Sequence, residues 1–114
     1  MNIDELARAI RFVSNGQNVQ RIADCLLEWK QNEETANDLN ETIERLLGNS
    51  WIKKDKDYDK IYRLWNSFRN EAITGIGGMT MNERLYHFCL FDEFDNCRNQ
   101  KERLKIYSKL LANP

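Results

Sequence analysis

The chain has 114 residues and a formal net charge of −1, from 17 basic and 18 acidic side chains. A length of this order makes one domain, here residues 1–114, with a core able to stand without disulfides or metal. The even charge balance gives no long-range field for nucleic acid or an anionic membrane, no apolar run approaches the ~20 residues of a membrane span, and three cysteines without framework spacing do not make a disulfide scaffold.

Composition selects the fold class. Val occurs only at Val13 and Val19, while Leu, Glu, Arg and Lys are plentiful, which favours helix over strand. The only proline is Pro114, so no internal residue breaks a helix by lacking an amide proton. The polar, acidic start at Met1-Asn2-Ile3-Asp4-Glu5 is unlike a secretory signal, and a cytoplasmic setting with reduced thiols at Cys25, Cys89 and Cys97 is expected.

Ile3, Leu6, Ala7, Ile10 and Val13 recur at steps of three and four and predict a first amphipathic helix. Ser14-Asn15-Gly16 ends it, with Gly16 or Asn15 expected in the left-handed region and Asn18 as cap of the next helix. Val19, Ile22, Ala23, Leu26 and Trp29 or Lys30 form the second stripe. Thr35 with Asp38 caps a third helix carrying Ala36, Leu39, Ile43, Leu46 and Leu47, with Gly48 expected just beyond its end.

Trp51 and Ile52 lead into a charged stretch, and a longer helix is predicted from about 57 to 72 with Tyr58, Ile61, Tyr62, Trp65, Phe68 and Ala72 on one face. As the most aromatic helix it is expected at the centre of the core. Gly75, Gly77 and Gly78 mark the clearest break, where glycine permits backbone angles closed to other residues. Thr80 and Glu83 make a capping box for a helix with Met81, Leu85, Phe88, Phe91 and Phe94, either continuous through Phe91 or kinked there. Asn99 opens a last helix with Leu104, Tyr107, Leu110 and Leu111. The expected architecture is all-α, a single bundle of about five to six helices joined by short links.

Few residues carry chemistry. His87 is the sole histidine, and Cys89, two positions on, points about 200° away on a helix, so the two cannot form a nucleophile pair within it. No C-x-x-C is present, and the spacing of His87, Cys89 and Cys97 fits no common zinc module. The glycine loop lacks the Lys-Ser/Thr of a phosphate-binding loop and follows a helix rather than a strand. No enzyme activity, cofactor or metal is expected. Lysines and aromatics mix between Trp51 and Tyr58 as in single-strand binders, but Asp55, Asp57 and Asp59 cancel most of that charge, so direct nucleic-acid binding is not expected.

Acidic side chains crowd in two places. Glu28, Glu33, Glu34, Asp38, Glu41 and Glu44 face only Lys30 and Arg45 in their stretch, and Asp92, Glu93 and Asp95 sit beside Phe91 and Phe94. Either group is a solvated face or a surface for a cationic protein. The candidate contacts are Glu33, Glu34, Asp38, Glu41, Asp92, Glu93 and Asp95, together with Trp51 if exposed.

Residues 79–95, MTMNERLYHFCLFDEFD, carry a recognisable pattern. The segment resembles M-T-x-N-E-R-L-Y-x-x-G-L-x-x-x-F-D, found near the C-terminus of small uncharacterised bacterial proteins. Some of these lie beside polymorphic or contact-dependent toxin modules, where small helical proteins serve as immunity proteins. Cys89 stands where that pattern usually has Gly. Within the segment Leu85, Phe88 and Phe94 are expected to pack, and Asn82 and Arg84 to reach solvent or the glycine loop. The resemblance carries over no catalytic residue. It implies a protein-binding role, an immunity or antitoxin-like protein that blocks a basic, nuclease-like toxin domain. A general helical adaptor or regulatory subunit without a toxin link has the same fold and is the alternative.

Overall fold

The computed structural model describes residues 1–114 and contains only helices and their connections. There are seven α-helices rather than five or six: α1 (Ile3–Val13), α2 (Gln17–Trp29), α3 (Ala36–Asn49), α4 (Asp55–Arg69), α5 (Met81–Phe88), α6 (Phe91–Asp95) and α7 (Gln100–Lys109). A π-turn (Asn70–Thr74) and a 3-10 turn (Ile76–Gly78) link α4 to α5. No helix is long and apolar enough to cross a membrane. The body is elongated, 46 × 25 × 20 Å.

Four helices start on side-chain caps. Asn2 Oδ1 accepts the Glu5 amide at 2.9 Å while the Glu5 carboxylate accepts the Asn2 amide, also at 2.9 Å. Thr35 and Asp38 exchange the same pair of bonds at the start of α3, as do Thr80 and Glu83 at α5. Asn99 accepts the Glu102 amide at 3.0 Å at α7. Each cap satisfies amides that the helix leaves unpaired. Helix α2 differs from expectation. Its cap is Gly16, with no side-chain bond, and Asn18 instead donates to the Trp51 carbonyl at 2.6 Å, tying α2 to the α3–α4 connection.

The glycines also depart from expectation. None takes a positive φ, and Gly48 lies inside α3 rather than beyond it. The left-handed residues are Cys89 (φ 53°) and Leu111 (φ 56°). Cys89 decides the open question of the Met81 helix. The Leu90 amide returns to the Leu85 carbonyl at 3.0 Å and the Cys89 amide to that of Tyr86 at 3.3 Å, a Schellman end that stops α5 and starts the separate α6. Leu90 beyond the turn is buried with Leu85, the apolar contact that accompanies such an end.

One continuous core takes in the predicted stripes: Ile3, Leu6, Ala7 and Ile10 from α1, Val19, Ile22, Ala23, Leu26 and Trp29 from α2, and Leu39, Ile43 and Leu47 from α3. Helix α1 packs on α2, α4 and α5, so the central position expected of α4 belongs to α1. Helix α4 contributes Ile61, Trp65 and Phe68, and the wide π-turn lets the consecutive residues Ala72 and Ile73 both face inward. An aromatic chain crosses the interior. Trp29 meets Phe88 at 5.0 Å between ring centres, Phe88 meets Phe68 edge-on at 5.6 Å, and Phe68 meets Trp65 at 6.0 Å.

Helix α7 is weakly amphipathic. Leu104 and Leu111 stay exposed, and only Lys109 in the helix and Leu110 at its end are buried. Two cations hold it. Arg84, expected to reach solvent or the glycine loop, is buried and donates from Nη1 to the Leu110 carbonyl at 3.1 Å, binding the end of α7 to α5. Lys109 reaches the turn between α2 and α3 in the same way.

Two substitutions test these devices. Cys89→Val, which forces a β-branched side chain into the left-handed region, is expected to lower stability in urea melts by at least about 1 kcal/mol, whereas Cys89→Gly stays within about 1 kcal/mol of the parent. Arg84→Ala removes a buried charge-assisted bond and the packing of the arginine stem, with an expected loss of about 2–3 kcal/mol. Hydrogen exchange in α7 should then accelerate more than exchange in α2.

Candidate protein-binding surface

The turn at residues 30–34 is built by polar contacts. The Glu34 amide donates to Asn32 Oδ1 and Asn32 Nδ2 to the Glu34 carboxylate, each at 2.9 Å. Lys109 Nζ crosses from α7 to donate to the carbonyls of Asn32 at 2.8 Å and Glu34 at 2.9 Å, and lies 3.9 Å above the Trp29 ring centre. The other side of the turn is fixed by Lys30, whose ammonium meets both Asp4 oxygens at 3.0 and 3.2 Å.

This turn borders a groove of about 630 Å³. Glu33 and Glu93, one from each acidic cluster, line it together with Leu90, Leu104 and the lysines 30, 101, 105 and 109. The structure therefore brings one acid of each cluster to the groove, among four lysines, while Glu34, Asp38, Glu41, Asp92 and Asp95 do not line it. Lys101, Lys105 and Lys109 recur at four-residue spacing on α7, a pattern in the sequence that places them on one helical face and that the acidic clusters alone do not reveal.

The candidate acids differ in what holds them. Asp38 is half-buried and committed to capping α3, and Glu34 is occupied with Asn32. Glu33 pairs with Lys105 at 3.5 Å, both side chains largely exposed, an arrangement of little energetic weight. Glu41, Asp92 and Asp95 are exposed and make no ion pair, and Glu93 is half-buried in the groove wall. Glu44 is held by Arg69. Trp51 is 73% exposed but belongs elsewhere, on a cleft of about 660 Å³ between the α1–α2 turn and the start of α4.

Phe12 is 90% exposed and was not singled out by its sequence position. It stands two residues after Ile10, about 200° out of phase with the α1 stripe, and that offset was the available signal.

The reactive side chains form no constellation: Cys97 Sγ donates to the carbonyl of Glu93 at 3.3 Å. All three cysteines are free and half-buried. Burial raises the Cys25 thiol, with the Glu28 carboxylate adding to the effect, and burial likewise raises Cys89. Both are thereby less nucleophilic than a free thiol. His87 is half-buried with Nδ1 unpartnered, and no three His, Cys, Asp or Glu side chains group closely enough to hold an ion. The Thr80 amide and hydroxyl hold the Glu83 carboxyl below its usual range.

Burial pulls the Lys109 ammonium from 10.5 down to about 8, against the opposing carboxylates of Glu34 and Asp38. Between those two pH values the unfolded chain binds a proton that the folded chain has released, so stability from this group rises with pH. The parent should gain on a Lys109→Met variant, by on the order of 1 kcal/mol, in urea melts between about pH 8 and pH 9.5. A gap that narrows over that window would contradict the assignment.

A scan against protein-family models, a search of curated proteins and a search of solved structures each return no match to this chain.

Proposed function

We propose that this chain is a non-enzymatic protein-binding module of the immunity type, acting in the cytoplasm by covering the basic face of a nuclease-like toxin domain. The observation that carries the reading is the state of the acids around α3 and α6. Glu41, Asp92 and Asp95 are exposed with no cation within bonding range, and Glu33 is held only by an exposed contact to Lys105. Carboxylates so placed are free to meet external cations, which accelerates encounter and fixes orientation. The likeness of residues 79–95 to proteins encoded beside toxin modules supports the partner class.

The lysines of the groove refine the proposal. A basic domain that engages Glu33 and Glu93 must also fit between Lys101 and Lys105, so wrong partners meet like charges. The same alternation favours the second reading, a helical adaptor whose partner carries charges of both signs.

The test uses the product of the neighbouring reading frame. Under the immunity reading it is a cytotoxic domain, co-expression of this chain restores growth, and the two purified proteins form a stoichiometric complex. Glu41→Lys together with Asp92→Lys should weaken that complex by about tenfold or more and slow its formation, without moving the melting temperature. A neighbouring product with no toxicity, or a toxic one that this chain neither binds nor neutralises, overturns the reading in favour of the adaptor.

A further inference from the structure

A second surface lies along α1 and α4. The two helices run antiparallel, with Met1 near Glu71 at one end and Phe12 near Lys60 at the other. Two hollows of about 230 and 380 Å³ share Lys60 and Leu64 and together trace a groove along the two helices. Lining positions run from Lys60 on α4 to Glu71 in the π-turn beyond it, about 16 Å or three helical turns. The floor is apolar, made by Ala9, Leu64 and Phe68. Phe12 stands over it, 90% exposed, and Met1 is 44% exposed at the far end.

The charges along the rim are unequal. Arg8, Lys60 and Arg63 make no ion pair. The two rim acids are both engaged, Glu5 in the cap of α1 and Glu71 with the Met1 amine at 3.5 Å. The groove therefore offers an apolar floor, an aromatic standing free in water and three unmatched cations.

We propose that this groove receives an amphipathic helix of about three turns from another protein, with one apolar stripe flanked by Asp and Glu. The length of the groove sets the length of the occupant, and a helix laid between two antiparallel helices buries residues at three- and four-residue steps. The cations select the flanks. Acids on either side of the stripe reach Arg8, Lys60 and Arg63, while a basic helix meets a rim on which cations outnumber the carboxylates of Glu5 and Glu71. Phe12 closes over the apolar stripe as the anchor. A second copy docking here through its own Asp92 and Asp95 would make a head-to-tail contact, which propagates unless its rotation closes a ring, so a separate protein is the better occupant.

The experiment is selection of a displayed random library of 16-residue peptides on the immobilised full-length chain. Enriched peptides should carry apolar residues at three- and four-residue spacing with Asp or Glu beside them. As synthetic fluorescent probes they should lose about tenfold or more in affinity for Phe12→Ala and for Arg63→Glu. Both sites are exposed, so the thermal melts of the variants should match the parent. Probes that bind the variants as well as the parent overturn the proposal, as do enriched sequences that are basic or lack a helical stripe. Two further arms do the same: tighter binding of a single-stranded oligonucleotide that Arg63→Glu abolishes, and self-association by sedimentation that Phe12→Ala removes. The outcome is independent of the acidic surface, since neither variant touches Glu41 or Asp92.

Discussion

Trp29 is the side chain on which the far half of the molecule depends. Its indole N–H donates to the Thr35 carbonyl at 2.9 Å, which closes the α2–α3 turn. Phe88 of α5 packs against its ring, and the Lys109 ammonium of α7 also lies against it. One buried residue thus joins α2, the start of α3, α5 and α7. An aromatic ring suits this task, since its face attracts a cation, its body supplies a large apolar area and its N–H provides a polar anchor. The chain Trp29–Phe88–Phe68–Trp65 then passes the constraint on to α4.

Where apolar area runs short, buried cations take over. Helix α7 presents little hydrophobic surface, and an isolated helix of its length is marginal in water. Arg84 binds its last carbonyl to α5, and Lys109 binds its last turn to residues 32 and 34. Carbonyls at a helix C-terminus have no partner within the helix, and the negative end of the dipole favours a cation there. Arg84 satisfies both needs with one contact. Its place in the segment 79–95 is structural, and the same holds for Thr80, Glu83, Leu85 and Phe88, which cap and pack α5.

Much of this was legible in the sequence because it is local. The stripes of α1, α2 and α3 bury at the positions their spacing gives except Val13 and Leu46, which are half-buried at the core's edge, and the caps at Thr35, Thr80 and Asn99 form as the residue types indicate. Less legible were features settled by tertiary contact. Asn18 has the chemistry of a cap, yet the Trp51 carbonyl offers its side chain a better partner. The glycines stay at negative φ while Cys89 takes the left-handed turn, because burial of Leu90 and the returning amide bonds outweigh the cost of a Cβ there. Of the candidate contacts, Asp38 and Glu34 carry local roles that their charge does not reveal, and Trp51 is exposed on a different cleft from the acids. The lysines of α7 and the exposure of Phe12 were written in helical phase, but only knowing which faces meet gives them meaning.

A net charge of −1 conceals how the unpaired charges are distributed. Glu41, Asp92 and Asp95 stand unpaired on α3 and α6, and Arg8, Lys60 and Arg63 on α1 and α4, where Asp55, Asp57 and Asp59 are unpaired as well, and near cancellation in the total leaves each patch its own short-range field. At physiological salt such fields fade within about 8 Å, so neither patch cancels the other across a body 46 Å long. Selection by charge therefore operates locally on this surface, face by face. A helical body built on one continuous apolar core, with Trp29 joining α2, α3, α5 and α7, can carry both patches on its exterior, since that core does not rely on exposed ion pairs.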